Sequence, residues 1–251
     1  MSRIYLSKRA KDFIDAADDN GNIRNDRASL LYINAIDNAC KITGLTTGAV
    51  YPFAGSDSNS RAINFLNPAE YSIEWHGTVN HSALGIQSDG STGYGNTNFI
   101  PNNFGDNIYL GVYVTAQNNT QSTIRYIGTS NDASGAGGAY MNGTLSIRTG
   151  RANSSQTMSL STTIRTGYSS IFRVSGTTYY SLNNQIGSTN TAVVKSTYPI
   201  TILAVNSGSS GIQIMGMDTV GFAMIGYDIT VNQNLYFQHL ITAAQRAYRG
   251  V

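Results

Sequence analysis

From Pro52 to Gly250 the apolar residues recur mainly at every second position, in short runs separated by Gly, Asn, Asp and Ser. That repeat marks half-buried strands, whose successive side chains point to opposite faces. In the run from Ile108 to Val114, Ile108, Leu110, Val112 and Val114 share one face while Tyr109 and Tyr113 share the other. The pattern predicts a core strand with a tyrosine-bearing outer face. Comparable runs extend over Tyr71 to Val79, Thr123 to Ile127, Thr144 to Arg148, Ser170 to Val174, Thr177 to Leu182, Ile200 to Val205 and Gly221 to Ile225. Asn183-Asn184, ahead of Gln185, predicts a tight hairpin, because asparagine tolerates the positive φ such turns need. Roughly a dozen strands with turn residues between them give a mainly β fold, a two-sheet antiparallel sandwich. No repeat of fixed period runs through them, which argues against a solenoid or propeller.

At both ends the period becomes helical. Thr230 and Gln233 form a capping box for a helix over 231–249, in which Phe237, Leu240, Ile241, Ala244 and Tyr248 line one face and Gly250 supplies the stop. Its apolar stripe is expected to seal the sandwich. Near the N-terminus Ser7 caps a predicted helix through Ala17. Asp26 caps a second, in which Leu30, Ile33, Asn34, Asp37 and Cys40 fall at helical spacing. Between them Asp18-Asp19-Asn20-Gly21-Asn22 is a turn signal. It fails as a calcium loop: with Gly21 at the sixth position, Ala16 stands at the first and Arg27 at the twelfth, where a Glu is needed. Residues 1–46 are thus expected to be a helical anchoring segment, and residues 47–251 the sandwich domain with its terminal helix.

Charged residues make up 12% of the chain, low for a soluble domain, and the net charge is +2. Such a weak field does not concentrate nucleic acid, so no nucleic-acid partner is expected. Lys8-Arg9-Ala10-Lys11 reads as a solvated helix face. Cys40 is the only cysteine, which leaves no intramolecular disulfide and no metal site built on several thiolates. The longest apolar run, near Val220 to Ile225, is too short to span a bilayer, and the first residues carry no signal-peptide stretch. A soluble product made in the cytoplasm, without membrane insertion, is the expectation. Asn118-Asn119-Thr120, Asn142-Gly143-Thr144 and Asn153-Ser154-Ser155 fit the glycosylation triplet, but without a secretion signal they read as chance matches.

The chemistry-bearing residues form no recognisable catalytic motif. Glu70 and Glu74, the two glutamates, would stand roughly 13 Å apart on one strand, too far to make a glycosidase pair by themselves. They read as solvated edge carboxylates. His76, His81 and His239 have no Ser or Cys in a nucleophile elbow to serve. The glycine-rich stretch from Ser130 to Gly138 lacks the Lys-Ser/Thr ending of a phosphate loop. No catalytic residue, metal ligand or cofactor is therefore assigned. The sixteen tyrosines are the remaining signal. Tyr126, Tyr140, Tyr168, Tyr179, Tyr180 and Tyr198 are amphipathic platforms for sugar or protein, with Tyr126, Tyr140 and Tyr179 the ligand-binding candidates. Ordinary strand packing is the alternative for each.

Several segments together resemble a group of bacteriophage virion proteins with a concanavalin A-like, laminin-G-like jelly roll. They are Tyr51-Pro52-Phe53-Ala54-Gly55, the stretch from Gly77 to Thr97, the hairpin from Tyr180 to Gly187, and Gly221 to Gly226 with the capped helix that follows. The resemblance implies a non-enzymatic structural protein of a tailed-phage virion: a head fibre, capsid decoration or tail-fibre module. It would be a homo-oligomer in contact with other virion proteins. The alternative is a carbohydrate-binding module that attaches the particle to host-surface glycans. The Glu-x-Asp-x-Glu signature of sugar-cleaving relatives and the Asp-rich metal loop of the lectins are both missing, so no catalytic residue carries over.

Overall fold

The computed structural model describes residues 4–18, 20–118, 123–131, 139–144, 147–152, 158–161, 165–190, 195–214 and 217–251. The chain begins α1 (Lys8–Ala17), α2 (Arg27–Thr43), β1 (Gly48–Tyr51), α3 (Ser58–Ala62), β2 (Glu74–His76), β3 (Val79–Ser82), β4 (Gly85–Ser88), β5 (Tyr94–Asn96) and β6 (Ile108–Ala116). It continues β7 (Thr123–Thr129), β8 (Ala139–Thr144), β9 (Ile147–Ala152), β10 (Met158–Ser161), β11 (Gly167–Val174), β12 (Thr177–Leu182) and β13 (Gln185–Asn190). Then come β14 (Thr201–Ile202), β15 (Ala204–Asn206), β16 (Ile212–Ile214), β17 (Thr219–Tyr227) and α4 (Val231–Arg249).

Two sheets face each other as an antiparallel jelly-roll sandwich. One runs β13-β12-β11-β6-β17-β4-β3, with β1 also on β17; the other runs β10-β9-β8-β7-β14-β5-β2, with β15 and β16 beside β7. β6 lies in the middle of the first sheet, with Leu110 opposite both Ile225 and Ile171. Its alternation decides two cores at once. Ile108, Leu110, Val112 and Val114 meet Ile124, Tyr126, Ile127 and Ile202 of the second sheet. Tyr109 and Tyr113 turn the other way, into a second core with Phe13, Ile33, Ile36, Phe237 and Ile241 of the helices. The tyrosine-bearing face is therefore not an outer face, because a helical layer covers it.

The caps form as the sequence indicates. Ser7 accepts from the Ala10 amide, Asp26 from those of Ala28 and Ser29, and Thr230 and Gln233 make the reciprocal capping box. Gly250 ends α4 in the left-handed region at φ 72°. α1 and α2 share their core with strand residues such as Val50, Tyr109 and Phe172, so the change of composition after residue 46 divides helix from strand in sequence but not in packing. Arg9 corrects the expectation of a solvated basic run: its Nε lies 2.9 Å from Oδ1 of the fully buried Asp37 and ties α1 to α2.

Three expected strands are interrupted. Tyr71 adopts φ 56° and Gly77 φ 60°, which confines that strand to Glu74–His76. Leu203 at φ 65° splits the run from Ile200 to Val205 into β14 and β15. Thr144 and Arg148 belong to two separate strands, β8 and β9. The paired asparagines do turn the β12–β13 hairpin, at φ 45° and 74°. Among the described residues no helix is long and apolar enough to cross a membrane.

Candidate functional site

α4 is held on the sheet by an unusual set of contacts for an amphipathic helix. Phe237, Ile241 and Ala244 are buried as the apolar pattern demands, but so are Asn234, Gln238 and Gln245. Asn234 Oδ1 accepts from the hydroxyls of Tyr109 and Ser170, each at 2.7 Å. Gln238 Oε1 accepts from Ser181 Oγ at 2.8 Å, and its Nε2 donates to Asn184 Oδ1 at 3.2 Å. Gln245 Nε2 donates to the Tyr32 hydroxyl and to the Gly221 carbonyl. Each buried amide thus has a partner, as burial requires, and fixes the helix at one height above the sheet.

A groove of 760 Å³ follows from that seating, between α4, the β12–β13 turn and the start of β11. Asn183 closes one end: its Nδ2 donates to the Thr166 carbonyl at 3.0 Å and its backbone N–H to the Tyr168 carbonyl at 3.1 Å. This approach needs Gly167, at φ 102°, where a Cβ would stand 2.1 Å from Asn183 Oδ1. Gln238, Thr242 and Arg246 line the helix side at four-residue spacing. Tyr113 lies beneath; burial raises its phenol, and the charge of the nearby Arg246 guanidinium offsets part of that rise.

The lining sets hydroxyls, amides and one guanidinium beside the apolar Val114, Ala243 and Val251, with exposed His239 at the helix side and no Asp or Glu side chain among the described residues. Amides and hydroxyls both donate and accept, which suits a polyhydroxylated ligand. A guanidinium adds a planar fork that matches a carboxylate.

The tyrosines that the sequence singles out lie elsewhere. Tyr126 is 1% exposed and its hydroxyl donates to Asp218 Oδ2 at 2.8 Å, so its ring offers no face to a sugar. Tyr168 and Tyr180 are likewise buried. Tyr179 is half-buried and stacks on Phe172 at 5.3 Å, and Tyr198 is half-buried beside Gly208. The side chain of Tyr140, residues 132–138 of the glycine-rich stretch, and residues 119–120 and 153–155 of two glycosylation triplets lie outside the described residues.

Glu70 and Glu74 are exposed, and the three histidines are dispersed: His76 stacks on Tyr94, His81 meets Trp75 edge-on, and His239 lies at the groove. No group of three or more His, Cys, Asp or Glu able to hold a metal occurs among the described residues. Cys40 is buried, which pushes its thiol up to about 12. The turn at Asp18 is closed by its own carboxylate, which accepts from the amides of Ile23 and Arg24. The groove residues left two marks in the sequence, the Asn183-Asn184 turn and the polar repeat of Gln238, Thr242 and Arg246. Only the fold brings them together.

No protein-family model matches the chain, and no curated protein matches it. Solved structures do share the fold. Trypanosoma rangeli sialidase, bound to 2,3-difluorosialic acid as a covalent intermediate, superposes with a TM-score of 0.55 at 12% identity, over 88% of this chain and 40% of the sialidase. The binding domain of botulinum neurotoxin serotype D gives 0.53 at 12% identity, over 77% of this chain and 51% of that domain. Botulinum neurotoxin type C, whose cell entry depends on interaction with two ganglioside molecules, gives 0.52 at 10% identity, over 80% and 52%. The chain thus spans about half the length or less of these structures, and what it shares with them is the β-sandwich.

Proposed function

We propose that this protein is a non-catalytic glycan-binding module whose ligand is an acidic oligosaccharide held in the groove beside α4. The observation that carries the reading is the composition of that groove: hydroxyl and amide side chains on three walls with Arg246 as the cation among them. The guanidinium pairs with a sugar carboxylate in a bidentate hydrogen bond, while Thr242 and Asn184 meet ring hydroxyls and Gln238, bonded to Ser181 and Asn184, holds that wall in place. A sheet and a seated helix hold these groups, so little ordering has to accompany binding. The ganglioside dependence of botulinum neurotoxin type C gives a precedent on the same fold, while the groove itself supplies the argument.

The setting we propose is the surface of a tailed-phage virion, on the strength of the sequence resemblance from Tyr51 through the terminal helix. There the module would sit among other virion proteins as a homo-oligomer and attach the particle to host glycans. A glycan array probed with the full chain tests the binding claim: acidic glycans are expected above neutral ones, and Arg246→Glu is expected to abolish the signal. Binding to no glycan, or retention by the variant, contradicts it. Release of reducing sugar from any array-positive glycan would contradict the non-catalytic assignment.

A further inference from the structure

A second cavity, of 520 Å³, shares no residue with the groove. It opens where the head of α2, the Gly55-Ser56 turn, β3 and Tyr248 of α4 meet. Arg61, on α3, lines it and is 3% exposed. Its Nε and Nη2 donate to the Gly55 carbonyl at 3.1 and 2.7 Å, and its Nη1 to the Gly85 carbonyl at 2.8 Å. Gly55 adopts φ 83° and a Cβ there would stand 2.4 Å from Ser60 Oγ, so only glycine lets the turn pack this closely on α3. No carboxylate among the described residues is within ion-pair distance of Arg61. Arg249 is in the same condition, donating to the carbonyls of Pro52, Phe53, Ala83 and Gly221 and to Gln245 Oε1. Two guanidiniums are thus held close by neutral oxygens alone. Burial, followed by the charge of Arg249, brings Arg61 down to about 10.

His81 completes the cavity. Its Nδ1 is buried and has no hydrogen-bond partner among the described residues, while its ring meets Trp75 edge-on at 5.0 Å. Burial first, and then the charge of Arg61, lower its pKa to about 4, so the imidazole is neutral near pH 7. Arg61 and Asp57 at α3 act on its charge, and Asp26 at the head of α2 and Tyr248 on α4 line the same cavity. Asp26 is already engaged, accepting from Ala28 N, Ser29 N and Ser29 Oγ. Asp57 accepts from Ser60 N and acts on Arg61 and His81 only through its charge.

We propose that this cavity binds a small oxyanion, a carboxylate or sulfate group, with Arg61 as its charge partner and His81 Nδ1 as a donor. The unpaired buried charge of Arg61 calls for an acceptor that carries negative charge, and His81 Nδ1, on a residue lining the same cavity, gives that acceptor a second donor when the ring proton sits there. The site is separate from the glycan groove and stands or falls without it.

Trp75 is the single tryptophan of the chain, so its fluorescence reports on His81 directly. The test is titration of the full chain with sodium sulfate and, separately, sodium acetate, at ionic strength matched with chloride. Saturation by either anion supports the site, and the two arms separate a tetrahedral from a planar ligand. The bound anion is also expected to raise the pH midpoint of Trp75 quenching by about one unit, a tenfold gain in proton affinity. Ser82→Glu, which puts a carboxylate into the cavity while keeping Arg61 itself, is expected to abolish saturation, whereas Arg246→Glu leaves it unchanged. A response to both anions no different from chloride, or full binding by Ser82→Glu, overturns the proposal.

Discussion

Arg165 and Asp218 hold each other with both side chains wholly out of solvent, Nε standing 2.9 Å from Oδ2 and Nη2 3.1 Å from Oδ1. The pair joins the segments leading into β11 and β17. Tyr126 donates to the same carboxylate, and Arg165 Nη2 donates to the Asn118 carbonyl. Removing one charge from such a pair leaves the other uncompensated. Asp218→Asn should therefore destabilise the fold by about 3–5 kcal/mol. Replacing both residues by apolar ones of similar volume should cost much less. Urea unfolding of the two variants beside the parent checks the contrast.

The amide of Asn234 is the hub of the interface between helix and sheet. Asn234→Ala removes the acceptor of the Tyr109 and Ser170 hydroxyls, and a loss of roughly 2 kcal/mol or more is expected. Tyr109 retains Tyr168, 2.8 Å away, and Ser170 retains Ser181 at 3.2 Å, so the loss stays below that of two fully orphaned groups. Amide exchange should then accelerate along α4 before it does in β6.

His81 sets a pH dependence whose sign is fixed. Its folded pKa, about 4, lies below the ordinary histidine value of 6.5. Between these the unfolded chain binds more protons, so stability rises with pH. The contribution is complete above about pH 6.5 and is lost as pH falls towards 4. Melting temperature measured across that window should drop less steeply in His81→Gln than in the parent. An identical slope would show that the ring is not held neutral.

Gly167→Ala forces a Cβ against Asn183 Oδ1 at a positive φ. About 1–3 kcal/mol of destabilisation is expected, together with displacement of the β12–β13 turn. Ligand affinity in the groove should fall with it, since Asn183 and Asn184 both line that wall.

What the sequence made legible was local. The capping box at Thr230 and Gln233, the caps at Ser7 and Asp26, and the Asn183-Asn184 hairpin all rest on residues a few positions apart. The alternation from Ile108 to Val114 gave the two faces of β6, but nothing in the run says that helices cover the tyrosine face. Asn234, Gln238 and Gln245 are polar, and a pattern of apolar positions assigns such residues to solvent, so the buried amides of α4 are not visible in it. The burial of Tyr126 is also beyond a local pattern, because its partner Asp218 is far along the chain and only the closed sandwich joins them. The groove, built from β6, the start of β11, the β12–β13 turn and α4, belongs to that long-range class.

Recognition of an acidic glycan in the groove beside α4, as proposed, rests on Arg246. Calorimetric titration of the full chain with a carboxylate-bearing oligosaccharide and its neutral counterpart, repeated on Arg246→Glu, tests it most directly. Saturable binding of the acidic sugar is expected, weaker by tenfold or more for the neutral one, about 1.4 kcal/mol, and none detectable in the variant. Equal affinity for both sugars, or undiminished binding by Arg246→Glu, would contradict it.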